Sequence, residues 1–131
     1  MPAADQYPQP WNSVPKSDIF DLVGSDGLPN GKRISESLGF NKKDTSHATG
    51  IERAKIRYDK KMPKELRKRL TEWATAINLV GSFFNDYEKT MAWFQTPNYH
   101  LGNIPPASMI KAGRYNRLVS FIQSSLEGNL P

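Results

Sequence analysis

PKELRKRLTEWATAINLVGSFF, running from Pro63 to Phe84, decides the fold class. Its apolar side chains Leu66, Leu70, Trp73, Ile77, Val80 and Phe84 recur at alternating intervals of four and three. On a helix of 3.6 residues per turn that spacing draws one continuous stripe. Pro63 opens the helix well, because the first helical position needs no N–H donor. The stripe suits a core helix around which shorter helices wrap, and a seam that pairs with a second copy is the alternative.

The sequence on either side of this stretch continues in short helices. Downstream, Asn85 or Asp86 is placed to cap a helix over about 87–95 that carries Met91, Trp93 and Phe94. Thr96-Pro97-Asn98 ends it, since the residue before a proline leaves helical geometry. Leu101 and Ile104 anchor a loop to Pro105-Pro106, where a short helix starts and then stops at Ala112-Gly113. A last amphipathic helix over about 115–126 shows Leu118, Val119, Ile122 and Leu126. Upstream, residues 51–62 have no clear period. Asn41, with Asp44 three residues on, forms a weak capping box for a helix to about Thr49. A further helix spans Lys32 to Leu38 and Gly39 stops it. Another is expected over Ser17 to Val23, with Gly24 at its end, and residues 25–31 are turn chemistry. No five-residue run alternates in the manner of a strand. The expectation is all-α.

Residues 1–16 hold four prolines and read as an extended arm, whose Trp11 suits docking on the body or on a second copy. The division that follows is an arm at 1–16, a helix-turn-helix-like region at 17–62 and a helical domain at 63–131.

Composition narrows the function. The chain has 131 residues and no cysteine, which excludes a disulfide scaffold, a thiol nucleophile and a Cys-ligated metal. Its two histidines, His47 and His100, leave little for a catalytic dyad. No glycine-rich phosphate loop, nucleophile elbow or carboxylate pair beside a histidine is present, so an enzyme is disfavoured and no cofactor is expected. No apolar run approaches the ~20 residues of a membrane span, and the start lacks a signal-peptide pattern. A cytoplasmic binding protein with no membrane partner is the expectation. The formal charge of +5 is uneven: between Asn30 and Leu70, 13 basic residues face five acids, and the remainder is mildly acidic. Such a block suits a polyanion, because each neutralised phosphate releases counterions.

Lys32 to Gly50 has helix-turn-helix spacing, with Ile34 and Leu38 on the first helix, Gly39 at the turn and Phe40 just after it. Lys42 and Lys43 would meet phosphates. Thr45, Ser46, His47 and Arg53 complete the expected DNA-binding set. Two positions depart from the usual pattern. Ser35 stands where a small apolar residue is common, and Thr45 where Val or Ile packs inward. In the plainer reading His47 is simply an exposed helix residue.

Trp93 and Phe94 are neighbours, so they point to different faces of their helix, and one of them is expected at the surface as a protein-binding anchor. The run Trp93-Phe94-x-Thr96-Pro97-Asn98-x-x-Leu101-Gly102, continued by Pro106, Ile110 and Gly113 and by a short apolar helix, resembles the toxin-binding domain of Xre/MbcA/ParS-type antitoxins. The likeness covers about Pro63 to Leu126, with Phe94 where that family usually has Leu, and the Pro-rich arm lies outside the pattern. It implies a helix-turn-helix-like half joined to a domain that binds a RES-domain toxin, an NAD⁺-consuming enzyme, and holds it inactive. It also implies repression of the protein's own operon through operator DNA, as a homodimer or larger complex. Trp93, Phe94, Thr96, Pro97, Asn98, Leu101, Gly102, Pro106 and Gly113 become the expected toxin-binding residues. A basic NAD⁺ cleft would accept an acidic plug, which Glu127, Asn129 and the terminal carboxylate at Pro131 could supply beyond Leu126; a functionless frayed tail is the alternative. A free-standing helix-turn-helix regulator whose C-terminal half only dimerises is the competing function.

Overall fold

The stripe on residues 63–84 becomes the central helix of the computed structural model, which describes residues 18–128. The expectations for the arm and Trp11, for Ser17 as the start of the first helix, and for Asn129 and Pro131 lie outside those residues. The helices are α1 Gly31–Leu38, α2 Lys42–Thr49, α3 Lys64–Phe84, α4 Tyr87–Gln95, α5 Pro106–Lys111 and α6 Tyr115–Leu126. Single 3-10 turns occupy Arg53–Lys55 and Tyr99–Leu101. The described residues hold no strand, only isolated bridges that pair Val23 with Pro29 and Asn98 with Ile104. They are all-α.

Leu66, Leu70, Trp73, Ile77 and Val80 are buried inside their own chain, so the stripe serves a core helix. Burying each such side chain is worth about 1.5–3 kcal/mol. Ala74, Ala76 and Leu79 are buried as well, because α3 is wrapped from several sides: it packs against α1, α2, α4 and α6. The small helix α5 fills the gap between α2, α4 and α6. One continuous cluster of buried residues runs from Leu22 and Ile34 through Trp73 to Ile110 and Ile122. The boundary expected between residues 62 and 63 therefore crosses a shared core.

Local signals set the helix ends. Asn30 caps α1 by accepting from the Arg33 N–H at 3.1 Å. Gly39, at φ 74°, ends it, with the Gly39 N–H on Glu36 and the Phe40 N–H on Ser35. These are the two bonds of a Schellman motif, and the left-handed φ is why glycine stands there. The Asn41–Asp44 capping box forms in full, and Asp86 caps α4. Asn85 instead ends α3 in the left-handed conformation.

Over the described residues 18–23 the helix expected from Ser17 to Val23 does not form. Asp18 accepts hydrogen bonds from the Leu22 and Val23 N–H groups at 3.0 and 2.8 Å. A side chain that bonds the backbone this way competes with helix formation, and a seven-residue helix is too short to resist. The segment forms a turn whose Asp21 sits at φ 55°, and the Asn78 carboxamide on α3 donates to Asp18 at 3.1 Å. Phe20 lies over Gly81, where an added Cβ would come within 2.4 Å of its ring.

Candidate functional site

Trp93 and Phe94 take opposite roles, as adjacent helical residues must. Phe94 is buried, with its ring edge-on to Trp93 at 5.0 Å, which makes it a core residue rather than a contact for a partner. Trp93 is half-buried and stacks on Phe121 of α6, the rings 6.4 Å apart and 15° from parallel. These rings floor an open groove of about 270 Å³. Val80, Phe83 and Phe84 of α3, Ile122 and Leu126 of α6, and Asn98 and His100 of the loop line it with them. Phe83 is 70% exposed at the groove, and Tyr99, 81% exposed, lies beside it on the loop turn. Large apolar side chains so exposed gain from being covered.

The loop beside the groove is built by the residues of the sequence motif. Thr96 donates from its hydroxyl to the Ala92 carbonyl at 2.6 Å. Asn98 accepts from the His100 N–H through its side chain at 2.9 Å, and its carbonyl accepts from Leu101 and Asn103. Its own N–H donates to the Ile104 carbonyl at 3.2 Å. Asn98 is thus the loop's organiser. Gly102 and Asn103 turn the chain at φ 75° and 62°. Leu101 is half-buried, Pro106 is buried at the start of α5, and Gly113 at φ 78° ends that helix with a second Schellman pair on Ile110 and Met109. Of the expected docking residues, Thr96, Pro97, Gly102 and Gly113 are exposed and Trp93, Asn98 and Leu101 are half-buried, whereas Phe94 and Pro106 are buried and hold the platform together. Glu127 follows α6, exposed, with the Gln123 carboxamide 3.4 Å away.

Phe83, Tyr99, His100 and Phe121 were not among the residues expected at a partner. The doubled Phe83-Phe84 at a helix end was the available signal, because a helix can bury only one of two neighbours against the same partner.

The residues expected at DNA divide as well. Lys42, Lys43, His47 and Arg53 are exposed. Thr45 is fully buried and is withdrawn from any DNA contact. The Tyr58 hydroxyl receives a hydrogen bond from Ser35 at 3.1 Å and donates to Thr45 at 3.4 Å. The two polar positions that depart from the helix-turn-helix pattern are therefore joined by a third hydroxyl, which supplies polar partners where apolar packing is usual. Ser46 is also engaged, donating to the Ile51 carbonyl at 2.5 Å beyond the end of α2.

Lys111 of α5 connects the two regions. Its ammonium lies 3.3 Å from Asp44 and over the Phe40 ring at 5.8 Å. The Asn41 N–H donating to Asp44, followed by Lys111, holds that carboxyl below its ordinary range. Tyr115 of α6 donates to the Glu72 carbonyl at 2.5 Å, and burial, then the Glu72 charge, pushes its phenol up. Among the described residues no group of His, Asp and Glu is arranged to hold a metal, and no helix is long and apolar enough to cross a membrane. No family model matches the chain, and comparison with curated proteins and with solved structures finds no match either.

Proposed function

We propose that this chain is the antitoxin of a toxin–antitoxin pair: a non-catalytic module that docks a RES-domain, NAD⁺-consuming toxin through its aromatic groove. The observation that carries the reading is that groove, floored by Trp93 and Phe121, with Phe83 exposed on it, beside a loop made rigid by Asn98. A preformed apolar cleft with a half-buried Trp is the kind of surface in which binding energy concentrates. The tail beyond Leu126 acts as the inhibitory element by entering the toxin's cleft. α1, the Gly39-Phe40-Asn41 turn and α2 act as a helix-turn-helix, and Lys42, Lys43, His47 and Arg53 meet operator DNA when the protein, as a dimer or larger complex, represses its operon. Exposure of all four side chains supports this half of the reading.

The test is NAD⁺ consumption by a RES-domain toxin encoded beside this chain, with wild-type protein, Trp93→Ala or Phe83→Ser added. Wild type inhibits. Trp93→Ala loses at least ~2 kcal/mol of binding, about 30-fold in affinity. Phe83→Ser loses affinity with its fold unchanged, since that ring is mostly in water already. A toxin left fully active at saturating wild-type protein refutes the antitoxin reading. Salt-dependent binding to its own promoter in that case identifies a free-standing regulator.

A further inference from the structure

Ion pairing sorts the basic block of the sequence into occupied and unoccupied cations. Lys55 pairs with Glu52, Arg57 with Asp59, and Arg69 with Glu65 and Glu72. Arg33 donates to the Phe20 carbonyl and lies over the Tyr87 ring. Within residues 57–69 both acids, Asp59 and Glu65, are thereby taken. Lys60, Lys61, Lys64, Arg67 and Lys68 remain, all exposed and with no ion pair among the described residues. They stand in the turn before α3 and on its first two turns, and none of them belongs to the α2 surface.

Two observations decide what such a strip meets. The apolar residues threaded through it, Met62 and Leu66, are buried, and the large exposed hydrophobics, Ile19, Phe83, Tyr99 and Ile104, all lie elsewhere in the chain. A protein interface concentrates aromatic and apolar side chains at its centre and is depleted in lysine. A phosphate backbone requires only cations on a solvated ridge. The strip also does nothing for α3, because cations near a helix N-terminus oppose its dipole.

We propose that Lys60, Lys61, Lys64, Arg67 and Lys68 form a second nucleic-acid contact that grips the sugar-phosphate backbone of duplex DNA without reading sequence. α2 packs on the Arg53–Lys55 turn, which precedes the strip in the chain, and on α3, whose first turns carry it. α2 then selects the site on the DNA, and the strip supplies sequence-independent affinity. Along the α3 axis Lys64 and Phe83 are separated by roughly 28 Å at 1.5 Å per residue, so the groove stays open while the strip is occupied. The inference rests on the DNA-binding half of the proposed function and extends it to residues that half does not use.

The experiment measures affinity for a short random-sequence DNA duplex between 50 and 200 mM salt, with a poly-glutamate peptide as a second probe. Three proteins are compared: wild type, a variant carrying Lys60→Gln, Lys61→Gln, Lys64→Gln and Lys68→Gln, and a Lys42→Ala/Lys43→Ala variant. The fourfold variant should keep wild-type helicity, and its slope of log affinity against log salt should be shallower by about 3–4 units, near 0.9 for each phosphate no longer neutralised. An unchanged slope in it, alongside a reduced slope in Lys42→Ala/Lys43→Ala, overturns the strip and leaves the α2 reading standing. Wild-type protein without salt-dependent affinity for the duplex overturns both. Poly-glutamate that binds wild type as tightly as the duplex does, and fails to bind the same fourfold variant, overturns the nucleic-acid assignment in favour of an acidic protein.

Discussion

Gly81 sits within the last turn and a half of α3, where alanine should be the better residue. Replacing glycine by alanine inside a helix gains about 1 kcal/mol. The structure opposes that gain. A Cβ at position 81 would lie 2.4 and 2.9 Å from two atoms of the Phe20 ring and 3.1 Å from the tip of Ile19. Carbon atoms in good contact stand about 3.5–4.0 Å apart, so the ring must retreat by roughly 1 Å. It is not free to do so. Phe20 packs edge-on against Tyr87 at 5.1 Å, and the Tyr87 hydroxyl is fixed to Ser37 at 2.7 Å. Overpacking of this kind costs about 1–3 kcal/mol. Against the ~1 kcal/mol of propensity, Gly81→Ala should destabilise by about 1 kcal/mol net, a melting shift of roughly 3–5 °C. With Phe20→Ala already in place only the exposed tip of Ile19 has to give by a few tenths of an ångström, and the same substitution should stabilise by up to about 1 kcal/mol. Urea unfolding followed by far-ultraviolet circular dichroism on the four proteins reads both signs. Stabilisation by Gly81→Ala in the wild-type background, or a coupling within about 0.5 kcal/mol of zero, refutes the packing of the 18–23 turn on α3.

Four further outcomes are expected. Trp73→Ala, which empties the space against the Phe40 edge, should cost about 3–5 kcal/mol in the same unfolding measurement. Tyr58→Phe should cost about 1–2 kcal/mol by stranding Ser35 and Thr45, whereas Ser35→Ala/Thr45→Val/Tyr58→Phe together should be close to neutral, which a set of urea titrations decides. Because the carboxyl of Asp44 titrates below its ordinary value of 3.8 in the folded state, its contribution is whole above that pH and is lost as pH falls through the folded value; the stability gap between wild type and Asp44→Asn should be present at neutral pH and close in acid. Deleting residues 127–131 should leave the toxin complex intact by gel filtration while restoring NAD⁺ consumption; full inhibition by the deleted form removes the plug and spares the groove.

What could be read in the sequence was local. The period of Leu66, Leu70, Trp73 and Ile77, the glycine at 39, the Asn41–Asp44 pair and the Pro105-Pro106 restart each act within one or two helical turns, and each stands where the pattern places it. The failures involve partners far apart in the chain. Apolar residues at 19, 20, 22 and 23 looked helical, but Asp18 bonds the Leu22 and Val23 N–H groups and is held in place by Asn78, 60 residues away. Thr45 looked polar and available because its partner, Tyr58, lies across a segment with no readable period. The groove draws its walls from α3, α4, a loop and α6, so no window along the chain contains it. That one of Trp93 and Phe94 faces outward was visible from their adjacency, but which one does so, and the ring it stacks on, could not be named without the fold.

The shared core bears on how a protein of this kind can be recombined. The half that precedes residue 63 does not finish its own interior: Phe40 needs the edge of Trp73, the Leu38 carbonyl is closed by Gln95 at 2.7 Å, and Asp44 finds its counter-ion in Lys111. Exchange of the first 62 residues between two such chains therefore transplants a surface without its foundations. A chimera that exchanges this half must carry compatible residues at 73, 95 and 111. Selection acting on the proposed docking groove and selection acting on the proposed DNA surface thus fall on one hereditary unit, and a change at either end is constrained by the other.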